Sequence, residues 1–216
     1  MAHVDTYLQA TAFLDFEDPI FSAYCASIPT GLAPVELAKL LYLKVRDGFL
    51  YDPYHLDIRP SGLIASQICT KKRAWCVEKS IVLAAAARKF GIPSRLGFAI
   101  VINHIGVEKL RTYLQKDEIV FHGYVELFLD DQWVKCTPAF DKRICALSKV
   151  EPLEWDGKTD SMFQAFENER QFMEYVHFYG EFEDVPVDLM NSEMKKHYPQ
   201  LFENEFSSKD FSFYHL

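Results

Sequence analysis

A cysteine at the start of an apolar helix is the residue in this sequence best suited to covalent chemistry. Cys76 heads residues 76–90, which are apolar almost all round in the middle of the run, and Gly91 and Pro93 end the pattern. A helix of this kind is typical of the buried centre of a domain. Its free N–H groups and the positive end of its dipole favour the thiolate form of a cysteine placed there. The pattern therefore predicts a nucleophile at the mouth of a buried helix.

A general base is the second requirement, and His122 is the best candidate among the seven histidines. It lies in residues 119–128, whose composition predicts a strand, and residues 133–137 return from it as the second strand of a hairpin. The glycine that follows the histidine leaves room for a close approach. A rigid strand would thus deliver the imidazole to the cysteine.

The register of this hairpin can also be predicted. If Glu126 faces Trp133, then His122 faces Thr137, because directly opposed residues of an antiparallel pair keep a constant sum of numbers. We therefore expect the histidine ring and the threonine hydroxyl to be neighbours.

Both candidate residues also have ordinary structural interpretations. Free cysteine is among the most buried residue types and usually behaves as a small hydrophobe. A lone histidine is commonly a structural residue whose ring is satisfied by hydrogen bonds. The catalytic interpretation depends on the helix and the hairpin bringing Cys76 and His122 together.

The overall composition is that of a globular protein, and we expect neither nucleic acid nor membrane as a partner. Of the 216 residues, 49% are hydrophobic and 25% are charged, and 23 basic against 31 acidic residues give a net charge of −8. This balance disfavours broad attraction to nucleic acid or anionic lipid. One basic run, Lys71-Lys72-Arg73, precedes the cysteine, and it is either a solvated loop or a local attraction for acidic substrate groups.

The five cysteines predict no disulfide framework. They are odd in number and dispersed, and neither a secretory leader nor an apolar run of membrane-spanning length is visible, so we expect reduced thiols and a cytoplasmic protein. Spacings typical of zinc sites do not occur, and we expect neither a metal nor a cofactor.

The remaining elements predict an α+β fold. Helices are expected from Pro34 to near Gly48 and over 187–197, strands over 95–102 and 172–178, a helical turn within 103–118, and a strand or an irregular lead-in over 1–30. We expect one domain over residues 1–216, in which an antiparallel sheet packs on the cysteine helix.

A set of short segments, each weak alone, forms a combination known from one superfamily of enzymes. The segments are Val45-Arg46-Asp47, Tyr51-Asp52-Pro53, Trp75-Cys76, Phe90-Gly91-Ile92-Pro93-Ser94-Arg95, His122-Gly123-Tyr124-Val125-Glu126-Leu127 and Gln132-Trp133-Val134-Lys135-Cys136-Thr137-Pro138. Together they resemble the transglutaminase-like superfamily of papain-type cysteine enzymes, over a core of about 35–141 with elaborations at both ends. The resemblance implies a papain-like fold, with Cys76 as the nucleophile and His122 as its base.

Two positions depart from the pattern of that superfamily. Ala74 stands where a glycine is usual, which is a mild change that narrows the turn before the cysteine. Thr137 stands where the superfamily has the aspartate that orients the histidine ring. A threonine hydroxyl can orient an imidazole, but it supplies no negative charge to an imidazolium. Asp141 is close enough in sequence to take that place, so Asp141 and Thr137 both stay open as the orienting group.

The chemistry that the resemblance implies is acyl transfer. Cys76 would attack an amide or ester carbonyl, His122 would protonate the leaving group, and water or an amine would then release the acyl group. Gln67 lies upstream, where cysteine enzymes of this general type place a second oxyanion donor, and Trp75 is placed to wall the acyl pocket. The expected substrate is a peptide, a protein or a small amide. The oligomeric state is not predicted.

Two other functions fit the same residues. The missing aspartate is compatible with a transglutaminase-like domain that is kept for binding or scaffolding and has weak or no catalytic activity. The cysteine and histidine also suit an arylamine-acetyltransferase-like enzyme, which would take acetyl groups from a coenzyme A thioester. The reactivity of the Cys76 thiol separates an enzyme from a scaffold.

Overall fold

The computed structural model describes residues 4–103, 108–162, 173–203, 206–207 and 210–215. Its helices are α1 (Pro19–Cys25), α2 (Pro34–Gly48), α3 (Ala65–Ile68), α4 (Cys76–Lys89), α5 (Glu108–Leu114), α6 (Lys142–Ser148), α7 (Val187–His197) and α8 (Pro199–Glu203). Its strands are β1 (Leu50–Tyr51), β2 (His55–Asp57), β3 (Arg73–Ala74), β4 (Ser94–Asn103), β5 (Glu118–Leu129), β6 (Gln132–Cys136), β7 (Met173–Phe182), β8 (Phe206–Ser207) and β9 (Ser212–Tyr214). Short 3-10 helices cover Val4–Leu8 and Pro60–Gly62.

A four-stranded antiparallel sheet forms the main layer. Its strand order is β6-β5-β4-β7, so β4 and β5 lie in the middle. Two smaller sheets flank it: β1 pairs with β3 in parallel, and β9 joins β2 to β8. This combination of helices with a mainly antiparallel sheet confirms the predicted α+β class.

Helix α4 fills the space between this sheet and the other helices. Every residue from Cys76 to Arg88 is buried, and the helix contacts β5, β4, α2 and α3. Small alanines in its second half let neighbouring elements approach, and Gly91, with φ of 77°, ends it in the left-handed conformation that glycine adopts without strain. The predicted central helix is therefore confirmed, including the way it ends.

A buried lysine ties α4 to two other parts of the core. The Nζ atom of Lys79 donates to the carbonyls of Arg46, Phe49 and Ala139, at 2.7, 3.1 and 2.7 Å. These three bonds use every N–H donor of a protonated ammonium group. Burial lowers the pKa of Lys79 to about 7, while the nearby Asp141 carboxylate acts in the opposite direction. The side chain thus links the end of α2 and the segment after β6 to the cysteine helix.

Most of the other predicted elements are also confirmed. Helix α2 begins at Pro34 and ends at Gly48, and α7 covers Val187–His197 as expected. The strand predicted over 95–102 is β4, and α5 supplies the predicted helical turn. The strand predicted over 172–178 is β7; its first residue, 172, lies outside the described residues.

The prediction of a strand or an irregular lead-in over residues 1–30 is wrong where α1 forms. Asp18 and Pro19 suggested a break in the chain, but they start a helix: the Asp18 carboxylate accepts a hydrogen bond from the Ile20 N–H at 2.7 Å, and Pro19 occupies the first helical position. An aspartate cap followed by proline is a helix start signal because the cap satisfies a free N–H and proline has none to satisfy.

The predicted hairpin forms, but its predicted register is wrong by two residues. Glu126 faces Lys135 rather than Trp133, and Trp133 faces Phe128. The turn explains the shift, because Asp130 and Asp131 both have positive φ, at 48° and 61°. A two-residue turn of this type matches the twist of a hairpin, and aspartate tolerates the left-handed conformation.

None of the helices in the described ranges combines the length and the hydropathy that a membrane-spanning segment needs.

Replacing Lys79 by methionine tests the tie between α4 and its neighbours. Three buried carbonyls would lose their donor, so we expect Lys79→Met to lower the free energy of unfolding by about 3 kcal/mol. The exposed Lys195 on α7 gives a matched control, and Lys195→Met should change the free energy of unfolding by less than about 0.5 kcal/mol. Urea denaturation followed by circular dichroism measures both values. Equal effects of the two substitutions would contradict the assigned role of Lys79.

Candidate active site

Cys76 is the first residue of α4 and lies almost completely buried. Trp75 is the residue before the helix, and its backbone N–H donates to the Glu78 carboxylate at 3.1 Å. The other oxygen of Glu78 forms an ion pair with Lys71. Burial raises the pKa of Glu78 to about 7, while the charge of Lys71 acts in the opposite direction. These contacts fix the chain direction as it enters the helix, and hence the position of the thiol.

Gly123 on β5 is the point at which the sheet contacts the start of α4. A Cβ at this glycine would lie 3.0 Å from the Val77 Cα, 3.0 Å from the Ser80 Oγ and 3.2 Å from the Cys76 carbonyl oxygen. The backbone of Gly123 also forms a hydrogen bond that favours the Cys76 thiolate. These distances are shorter than most Cβ contacts, so a side chain at this position would require the strand or the helix to shift. Because His122 precedes Gly123, the contact brings the histidine to the same end of the helix.

An irregularity in β5 lies directly before the histidine. Phe121 has φ of 61°, and the pairing of β4 with β5 shifts register between Ala99 and Val101. Bulges of this kind change the direction in which the following side chain points. The irregularity is therefore part of what sets the orientation of His122.

Thr137 holds the His122 ring. The Nε2 atom of His122 lies 3.2 Å from the Thr137 Oγ1, although the two residues are not opposite each other in the ladder. The threonine hydroxyl donates its proton to the Gly123 carbonyl at 3.3 Å, so it accepts from Nε2. This assignment puts the imidazole proton on Nε2 and leaves Nδ1 as the basic nitrogen.

Asp141 lies elsewhere and has a different set of partners. It is the N-cap of α6, and its carboxylate accepts from the backbone N–H groups of Tyr51, Arg143 and Ile144 at 2.6, 2.9 and 3.2 Å. These bonds occupy both carboxylate oxygens. The structure thus brings Thr137, and not Asp141, into hydrogen-bond contact with the histidine ring.

Two tyrosines that the sequence did not single out as site residues complete the surroundings. Burial raises the pKa of the Tyr51 phenol, and a hydrogen bond with the Cys76 side chain acts in the same direction. Tyr175, on β7, meets the His122 ring edge to face, with ring centres 5.8 Å apart. The resemblance covered Tyr51 as part of a motif. No local sequence pattern indicated Tyr175, because its contact with the His122 ring depends on how β7 pairs with β4.

The resting site favours the neutral forms of the cysteine and the histidine. Burial raises the pKa of the Cys76 thiol to about 11, against backbone hydrogen bonds from Gly123 and Val77 that lower it. Burial lowers the pKa of His122 to about 4. The expected preference for thiolate at the helix start is therefore outweighed by desolvation. In the described part of the chain, the thiol and the ring are not directly hydrogen-bonded, a common situation in free enzymes.

A small apolar cavity lies beside the thiol. Its volume is about 20 Å³, and its lining includes Cys76, Trp75, Tyr51, Leu110 of α5 and Met194 of α7. The indole Nε1 of Trp75 is buried and has no hydrogen-bond partner among the described residues. The cavity holds no more than about one water molecule, so a substrate must displace part of this lining.

Gln67, the cysteines and possible metal ligands are the remaining features that the sequence raised. Gln67 is exposed on α3 and is not part of the cavity at Cys76. The five cysteines are unpaired. Within the described ranges, no group of three or more histidine, cysteine, aspartate or glutamate residues could hold a metal ion.

The fold and the site define a papain-like α+β domain with a cysteine at the start of its central helix and a histidine on the adjoining strand. A family model of the transglutaminase-like superfamily matches residues 23–138, which is more than half of the chain. The chain therefore belongs to the transglutaminase-like superfamily. The matched range overlaps the core predicted from the sequence.

The similarity to a solved structure is weaker than the match to the family model. A proposed cysteine protease from Cytophaga hutchinsonii is similar over 64% of this chain and 42% of its own length, with 11% sequence identity and a TM-score of 0.48. The chain thus spans less than half of that protein. A search of curated proteins found no match.

Replacing Gly123 by alanine tests the contact between β5 and α4. The new Cβ would force the strand and the helix apart, so we expect a loss of about 1–3 kcal/mol in the free energy of unfolding. Gly48→Ala is the matched control, because its Cβ would meet nothing closer than the Tyr24 hydroxyl at 3.8 Å. Thermal unfolding compares the two proteins. The contact would be refuted if Gly123→Ala were as stable as Gly48→Ala.

The pH dependence of alkylation tests the protonation state of the thiol. With the folded pKa of Cys76 raised to about 11, its reaction with iodoacetamide should be slow near neutral pH. The rate should then increase by about tenfold per pH unit as the thiolate fraction grows. Mass spectrometry of the labelled peptides measures the rate at each cysteine. Rapid labelling of Cys76 at mildly acidic pH, ahead of the other cysteines, would show a preformed thiolate–imidazolium pair instead.

Proposed function

We propose that this protein is a thiol-dependent acyl-transfer enzyme that uses Cys76 and His122 through an acyl-enzyme. The observation that supports the proposal is the arrangement at Gly123: it contacts the start of α4, where Cys76 lies, and it follows His122, whose Nε2 lies 3.2 Å from the Thr137 Oγ1. A nucleophile, a base and a group that orients the base are the three parts that covalent catalysis by cysteine requires.

The proposed reaction begins with two neutral groups. As the Cys76 sulfur attacks the carbonyl carbon of an amide or ester, the thiol proton passes to Nδ1 of His122. The imidazolium then gives this proton to the leaving amine or alcohol, and the carbonyl carbon stays bound to sulfur as a thioester. Water or an amine attacks the thioester, transfers its own proton through His122 and restores the thiol. Water gives hydrolysis, and an amine gives a new amide.

Two N–H groups are available for the negative charge on the carbonyl oxygen. The backbone N–H of Cys76 belongs to the first turn of α4, where N–H groups have no acceptor within the helix. Trp75 lines the same cavity, and its buried Nε1–H has no hydrogen-bond partner among the described residues. Buried donors that already point into a site stabilise an oxyanion at little cost in reorganisation. We therefore assign Trp75 as the second oxyanion donor in preference to the exposed Gln67.

The proposed substrate is a peptide, a protein or a small amide. The cavity at the thiol is lined largely by apolar side chains, which suits an acyl group that enters once Tyr51 or its neighbours move. Transfer from a coenzyme A thioester would use the same two residues. The five free cysteines also favour a reducing compartment such as the cytoplasm.

A second candidate function is a binding or scaffolding domain with weak or no catalytic activity. Two observations favour it: the orienting group is the neutral Thr137, and the cavity at Cys76 is small. A hydroxyl orients the imidazole but stabilises the imidazolium less than a carboxylate does. A slow enzyme and a scaffold are separated by whether an acyl group is transferred to Cys76.

Acyl-adduct formation on matched variants tests the proposed roles. With an activated ester as the acyl donor, the wild type should acylate at Cys76, and Cys76→Ala should not acylate there. We expect Thr137→Val to slow acylation by about tenfold, the value of one hydrogen bond of ~1.4 kcal/mol. Asp141→Asn, which keeps an oxygen for the helix cap, should acylate at close to the wild-type rate.

Intact-protein mass spectrometry follows the adduct with time. If Asp141→Asn slowed acylation and Thr137→Val did not, Asp141 would be the orienting group. Absence of any adduct on Cys76 of the wild type would favour the scaffolding function.

A further inference from the structure

Three surface depressions meet at one arginine beside the candidate nucleophile. Their volumes are about 370, 480 and 140 Å³, and Arg73 lines all three, which together are called the Arg73 groove below. Arg73 precedes Cys76 by three residues, so their Cα atoms are at most about 11 Å apart. Tyr51 lines both the smallest depression and the cavity at Cys76. The Arg73 groove and the cavity at Cys76 therefore have Tyr51 as a common wall.

The exposed cations of the Arg73 groove are mostly available to a ligand. Lys72 and Arg143 are exposed and have no ion pair within the described ranges. The side chain of Arg73 is 61% exposed, and its nearest acid, Asp52, lies 3.7 Å away. Lys109 contacts only the exposed Asp210, at 3.6 Å, among the ion pairs of the described residues. These cations stand out in a chain whose net charge is −8.

The acids of the Arg73 groove are mostly engaged in local structure. Asp52 accepts from the Tyr54 N–H at 3.0 Å and pairs with His55 at 2.9 Å. Asp57 accepts two hydrogen bonds from the Arg59 guanidinium, at 2.9 and 2.8 Å. Glu78 and Asp141 are buried and bonded as described for the site. Cationic groups therefore dominate what the groove offers to an incoming chain.

We propose that the Arg73 groove binds a polypeptide substrate that carries an acidic side chain beside the reacting amide, and that Arg73 contacts this side chain. The proposal rests on the proposed function and names its substrate class. A depression of this size accommodates a few residues of extended chain. Asp52, Asp57 and Asp210 also line the groove and the net charge of the chain is −8, so a long polyphosphate such as nucleic acid is disfavoured relative to a single acidic side chain.

A charge-reversal experiment tests the substrate class. Three peptides of equal length share one reactive amide and differ only in the adjacent residue, which is glutamate, glutamine or lysine. For the wild type, kcat/KM should be about tenfold higher with the glutamate peptide than with the lysine peptide, and salt should reduce this ratio. Arg73→Glu should reverse the order. Lys195→Glu changes an exposed lysine outside the Arg73 groove and should keep the wild-type order.

Equilibrium binding separates this inference from the enzymatic proposal. Fluorescence anisotropy with labelled forms of the same peptides measures their affinity for Cys76→Ala protein and for the Cys76→Ala, Arg73→Glu double variant. A preference for the glutamate peptide that Arg73→Glu reverses would support the inference, even if none of the proteins turned a peptide over. Such a lack of turnover would count against the proposed enzymatic function and not against the inference. Equal affinities for the three peptides, or no binding of any peptide, would overturn the inference. Turnover of the peptides without a charge preference would overturn the inference too, but it would support the proposed enzymatic function.

Discussion

The close contact between Gly123 and the first turn of α4 is the constraint on which the rest of the site depends. It sets the distance between the main sheet and the central helix at the point where the helix presents its cysteine. The Lys79 ammonium group fixes the same helix, one turn further on, to the end of α2 and to the segment after β6. That segment begins near Thr137, so one buried side chain and one glycine together position Cys76 and Thr137, the proposed nucleophile and the proposed orienting group.

Burial of these groups has an electrostatic consequence. A cysteine and a histidine that are both removed from water favour their neutral forms, because each charge would lose its hydration. A neutral threonine as the orienting group is consistent with this, since an aspartate would have to be desolvated at the same place. In the proposed enzyme, the charges of the imidazolium and the oxyanion therefore form only during the reaction. Its rate depends on how well Thr137 and the oxyanion donors stabilise these charges.

Most of the features that the sequence predicted depend on neighbouring residues, and several of those it missed depend on distant ones. The ends of α4 and α7 follow from local glycine and proline signals, and the hairpin follows from its composition. The register failed because the turn conformation at Asp130 and Asp131 decides it. Whether Asp141 or Thr137 reaches the histidine could not be read from spacing alone, since Asp141 caps the following helix. The Tyr175 contact depends on strand pairing across the sheet.

The protonation state of His122 is the most direct test of this description of the site. Nitrogen-15 NMR of the histidine ring, recorded across the pH range, distinguishes the two neutral tautomers from the imidazolium. A neutral ring with its proton on Nε2, which becomes charged only as the pH approaches about 4, is the predicted result. An imidazolium at neutral pH that loses its proton in Cys76→Ala would show a preformed ion pair and would contradict the neutral site.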